Sequence, residues 1–186
     1  MAMVITIITL NLFLALLLLY YIDNVLQFIS ADRITGTPQN DNLTGTPDND
    51  RIIGYGGNDS LIGLAGIDEM DGGRGIDAIE GSENDDYLIG GPQDDVIRGD
   101  SGDDEAEGND GDDKMSGGPG NDSFFGGRGR DNISGDNGND NVFGGSGDDI
   151  LSGGKGKDHF NCGLGKDNAA DFNGAEDDWR SYNCES

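Results

Sequence analysis

From position 36 the chain places an apolar residue at every ninth position, with no insertion or deletion: Leu43, Ile52, Leu61, Met70, Ile79, Leu88, Ile97, Ala106, Met115, Phe124, Ile133, Val142, Leu151, Phe160 and Ala169. Nearly all have a polar residue on at least one side, the pattern of a very short, half-buried strand. Two residues before each stands an aspartate: Asp41, Asp50, Asp59, Asp68, Asp77, Asp86, Asp95, Asp104, Asp113, Asp122, Asp131, Asp140, Asp149, Asp158 and Asp167. A glycine leads fourteen of these fifteen blocks, and Cys162 leads the last. Blocks such as GGPGNDSFF (Gly117 to Phe125) and GGSGDDILS (Gly144 to Ser152) also carry glycine at positions two and four. Such a segment turns tightly without Cβ clashes. Turn then strand, repeated, predicts an all-β solenoid. Each strand pairs with the equivalent strand of neighbouring coils and points its one apolar residue inward.

Composition changes this picture in one respect. With 34 glycines, 33% hydrophobic residues and a net charge of -26, the chain has the make-up of a disordered segment. A strict period in phase fifteen times argues for order instead. The two observations reconcile if folding needs counter-cations, because one buried apolar residue per block does not offset the ordering of nine residues. Nucleic acid is excluded as a partner by 37 acidic against 11 basic residues. Carboxylates together with exposed turn carbonyls are hard oxygen donors that suit Ca²⁺. Zinc is disfavoured, since only Cys162, Cys184 and His159 offer sulfur or nitrogen.

The block GGxGxD followed by x, apolar, x resembles the RTX, or haemolysin-type calcium-binding, nonapeptide repeat. The resemblance runs from Gly36 to Asp167. It implies a right-handed parallel β-roll with two nonamers per coil and calcium between turns stacked on the same side. The fifteen aspartates would be the carboxylate ligands. The implied carbonyl donors are Gly99, Gly102, Gly108, Gly111, Gly117, Gly120, Gly126, Gly129, Gly135, Gly138, Gly144, Gly147, Gly153 and Gly156. Each repeat would pair with the next but one, so that Asp104 faces the Asp122 turn and Asp113 the Asp131 turn. A row of eight turns and a row of seven leave about thirteen gaps for Ca²⁺.

The repeats are uneven. Blocks from Gly99 to Asp158 keep the fourth-position glycine, whereas Gln39, Asp48, Asn84 and Gln93 replace it in four earlier blocks. Asn and Asp tolerate the left-handed region better than Gln. The early sites are therefore expected to be the weaker ones. Other chemistry is absent from the pattern: there is no HExxH, GxSxG or phosphate-binding GKS/GKT, and the lone His159 has no partner at ligand spacing. The reading is of a protein that is not an enzyme.

Residues 3 to 22 are almost wholly apolar, and no charged side chain precedes Asp23. A helix of that length spans about 30 Å. Residues 1–26 therefore read as a hydrophobic helix, either a cleaved signal peptide or a retained anchor. Either places the acidic remainder outside the cytoplasm, secreted or held at the cell surface, with the membrane touched only through this segment. Residues 27–35 read as a degenerate cap turn, 36–170 as the β-roll, and 171–186 as a C-terminal cap with Trp179 and Tyr182 over the last coil. The two cysteines of an exported chain, Cys162 and Cys184, read as one disulfide. The function expected is that of an exported calcium-binding structural or interaction protein. The alternatives are an accessory module related to a secreted protease or polysaccharide epimerase, or an adhesin.

Overall fold

The structure, a computed structural model, describes residues 33–170, 178–181 and 184. The expected N-terminal helix and most of the cap turn lie outside the described residues. Among those described there are only strands and turns, and no helix long and apolar enough to cross a membrane.

Successive strands alternate between two parallel sheets. Strands that begin at Arg33, Arg51, Glu69, Tyr87, Glu105, Ser123, Asn141, His159 and Trp179 lie side by side in a nine-stranded sheet. Those beginning at Asn42, Ser60, Ala78, Val96, Lys114, Asn132, Ile150 and Asn168 form an eight-stranded sheet. Pairing is between repeat n and repeat n+2, as Phe124↔Val142 and Met115↔Ile133 show. The chain is thus a parallel β-solenoid with two nonamers per coil. Main-chain and side-chain contacts within its own coil and to adjacent coils hold each repeat.

The strands are longer than the three residues the alternation predicts. Ten of them run for six, among them Lys114–Pro119 and Ser123–Arg128, and so include the first three residues of the next turn. Gly118 pairs with Asp136 and Pro119 with Asn137 through the main chain alone. A side-chain pattern reports burial, so pairing by main-chain atoms on glycine-rich stretches leaves no trace in it.

The apolar position of every block faces the space between the sheets. From Ile52 to Phe160 these residues are at most 2% exposed, while Ile34 and Leu43 at the first coils are only partly buried. Sizes alternate where they must: Phe124 stands between Ala106 and Val142 of the same sheet. On the outer face of the nine-stranded sheet, Phe125 and Phe143 stack at 4.8 Å. His159 meets the Phe143 edge and packs on Trp179. Cys162 and Cys184 are joined by a disulfide with Cα atoms 5.2 Å apart, tying the C-terminal segment to the last coils.

Candidate metal sites in the turns

The aspartates of the repeat do not point to solvent. Asp50 and every later one through Asp167 is at most 3% exposed. From Asp59 onward each carboxylate has one oxygen fixed by the preceding coil. The N–H of Asp104 donates to Asp122 Oδ1 at 2.8 Å, that of Asp113 to Asp131 Oδ1 at 3.0 Å, and that of Asp122 to Asp140 Oδ1 at 2.8 Å. The main-chain oxygen of the same aspartate accepts from the following coil, as in Ser123 N–H to Asp104 O at 2.8 Å. This lattice explains why aspartate recurs. Its short side chain reaches the preceding coil's N–H from inside a turn, which glutamate overshoots and alanine cannot do.

The second oxygen is different. From Asp59 through Asp149, Oδ2 is buried and has no hydrogen-bond partner among the described residues. It faces the leading glycine of its own block. A methyl group on Gly117 would overlap Asp122 Oδ2 and lie 2.7 Å from the carbonyl oxygen of Gly135 in the next coil. The same holds for Gly108 with Asp113 Oδ2 and Gly126 O, and for Gly126 with Asp131 Oδ2 and Gly144 O. The structure therefore brings the leading-glycine carbonyls and the carboxylates together. The fourth-position carbonyls lie elsewhere in the turn: those of Gly102 and Gly120 abut the glycine at the same position one coil on. Among the described residues no three His, Cys, Asp or Glu side chains converge on one point.

Electrostatics mark the same atoms. Burial pushes the carboxyls of Asp86, Asp95, Asp122 and Asp131 up to about 7, against the lowering effect of the backbone N–H each accepts. Neighbouring carboxylates push in the same direction as burial. Asp104, Asp113 and Asp140 rise to about 6 for the same leading reason. A buried, partnerless carboxylate oxygen costs free energy unless it is protonated or meets a cation. An oxygen-only donor set of carboxylate and carbonyl fits a hard divalent ion of the calcium type.

A second ladder, which the sequence pattern does not announce, runs along the exposed fifth position and in the opposite direction. Asn121 N–H donates back to Asp103 Oδ1 at 2.7 Å, Asn139 N–H to Asn121 Oδ1 at 3.0 Å, and Lys157 N–H to Asn139 Oδ1 at 3.0 Å. The recurrence of Asn and Asp before the invariant aspartate was the available signal. The period itself also outlasts its visible end. Asp158 N–H donates to Asp178 Oδ1 at 3.0 Å, so Asp178 takes the aspartate position one coil beyond Asp158. Two extra residues before Asp178 hide it from a nine-residue count, although DWRS repeats the aspartate-then-strand order.

Loss of the fourth-position glycine has less effect than expected at two of the four places. Asn84 and Gln93 take up φ of 77° and 90° and keep the turn. Gln39 and Asp48 do not enter that region.

The family model of the RTX calcium-binding nonapeptide repeat matches residues 35–70, 71–106, 98–133, 107–142 and 134–169. The chain belongs to this family of structural calcium-binding modules. No curated protein matches the chain.

Proposed function

We propose that the chain is an exported protein whose solenoid folds as it takes up an array of Ca²⁺, and that it serves outside the cytoplasm as a stiff structural or interaction element. The observation that supports this most is the row of buried Oδ2 atoms without hydrogen-bond partners among the described residues, one in each block from Asp59 to Asp149. Calcium, when bound, supplies the positive charge that a chain of net charge -26 lacks. The chain's own contribution is to hold each carboxylate by Oδ1, to bring a glycine carbonyl beside Oδ2, and to keep other side chains out through glycine. Because the unfolded chain has no such arrangement, binding free energy becomes folding free energy. Sites of extracellular type bind at roughly 10⁻⁴–10⁻³ M, which would leave the chain extended during export and ordered outside. The apolar segment at residues 3–22 is the basis for placing it there. The test is circular dichroism of the full chain in mild detergent during calcium titration. A cooperative gain of β signal, reversed by chelator and not reproduced by Mg²⁺, is expected. Full β signal and protease resistance in chelator would overturn the proposal.

A further inference from the structure

The turns fall into two classes, and the boundary lies between Asp50 and Asp59. In the turn Gly36–Asp41, Thr37 donates to Asp41 Oδ2 twice, through its N–H at 2.6 Å and its Oγ1 at 2.9 Å. In Gly45–Asp50, Thr46 does the same to Asp50 Oδ2, at 2.5 Å and 3.0 Å. Each hydroxyl also accepts from the N–H two residues on, Gln39 at 3.2 Å and Asp48 at 3.3 Å. The oxygen that stands without a partner in the blocks from Asp59 to Asp149 is already engaged here.

The main chain differs in step. From Tyr55 onward the second position of every turn has positive φ, including non-glycine residues such as Tyr55 at 75°, Leu64 at 88° and Asp100 at 69°. Thr37 and Thr46 do not. A β-branched residue avoids that region, and a following proline drives it further toward extended conformations. Both threonines precede proline, Pro38 and Pro47.

The chain contains its own control. The first turn reads GTPQND and the turn Gly90–Asp95 reads GGPQDD. Proline and glutamine occupy the same places in both. In the second, Gly91 has φ of 124° and Gln93 of 90°, and Asp95 Oδ2 is buried without a hydrogen-bond partner among the described residues. Neither Pro92 nor Gln93 prevents the open form. What separates the two turns in this respect is Thr37 in place of Gly91.

We infer that Thr37 and Thr46 close the first two turns against calcium, so that the metal array starts at the turn holding Asp59. The threonine N–H and hydroxyl stand in for the cation at Oδ2. The first coil is thereby satisfied without metal and offers a preformed edge on which the calcium-dependent coils stack. This rests on the proposed reading of the later turns as calcium sites.

The test is the number of calcium ions bound per full-length chain at saturation, by equilibrium dialysis with elemental analysis. Asp41→Asn combined with Asp50→Asn leaves the number unchanged, while Asp95→Asn lowers it by at least one. Thr37→Gly combined with Thr46→Gly raises it, because the first turn then becomes GGPQND. A lower number for the Asp41/Asp50 variant, or no gain for the Thr37/Thr46 variant, overturns the inference. A wild-type chain that binds no calcium overturns the reading of the turns as calcium sites instead.

Discussion

Asp104 N–H donates to Asp122 Oδ1 across one coil, and that single bond aims Asp122 Oδ2 at a position beside Gly117 where no hydrogen-bonding group of the described residues meets it. The two oxygens of one carboxylate thus have separate duties. One stitches coils together, and the other waits for charge compensation.

Asp122→Asn separates these duties. The amide oxygen can still accept from Asp104, but the negative charge is gone. Without calcium at pH 7 the variant is expected to be more ordered than the wild type, since an uncompensated buried charge is removed. With calcium the order reverses, and the midpoint of the calcium titration moves to higher concentration. Dichroism with and without chelator reads both signs.

Gly117→Ala places a methyl group against Asp122 Oδ2 and the Gly135 carbonyl. Those atoms belong to a fixed carboxylate and to main chain, so neither moves cheaply. Bound calcium per chain should fall, and the coils around Met115 and Ile133 should lose hydrogen-exchange protection before the remote coils. Mass-spectrometric exchange resolved by peptide checks this.

Protonation competes with metal. The aspartates with carboxyls near 6 to 7 in the fold lie well above the unfolded value of about 3.9. The folded chain therefore holds protons that the unfolded chain has released. Stability of the metal-free solenoid should be highest near pH 4 and fall as pH rises through about 7. Calcium affinity should change in the opposite direction, weakening as pH drops through 7 to 6. Acid-induced β signal in chelator, with a rightward shift of the calcium midpoint at pH 6, is the expected pair of results.

Cys162 and Cys184 close a span of 22 residues. Reducing that bond, or Cys162→Ser, is expected to destabilise the calcium-loaded form by about 3 kcal/mol through the greater freedom of the open chain. Denaturant titration measures it. Truncating the core at Phe124→Ala should cost about 3–5 kcal/mol and serves as a scale for comparison.

Much of the solenoid was legible because its rule is one of residue identity. The aspartate and apolar positions at a fixed spacing gave the inward row from Ile52 to Phe160, and the resemblance to the RTX nonapeptide implied the pairing of Asp104 with Asp122. What was hidden depends on main-chain atoms or on a break in count. Gly118 and Pro119 join the sheet without a side-chain signal. Asp178 is displaced by two residues from its expected place. Loss of glycine at position four does not by itself decide the turn, since Asn84 and Gln93 take up positive φ there, while Thr37 and Thr46, two positions earlier in their blocks, do not take it up at theirs. The sequence displayed those threonines, but their meaning needed the geometry of Oδ2.

The alternation of strands between two sheets makes eighteen residues, not nine, the unit by which such a chain can be edited. Arg130 bonds Asp112, Arg128 bonds Asp110, and Phe125 stacks on Phe143, all at a spacing of eighteen. Removing one whole coil leaves every later residue on its own face. Removing a single nonamer keeps the aspartates and the apolar row in register yet sends all later strands to the opposite sheet, so that outer-face partners on either side of the cut no longer meet. Gains and losses of length in chains of this kind should therefore be tolerated in even numbers of repeats and selected against in odd ones.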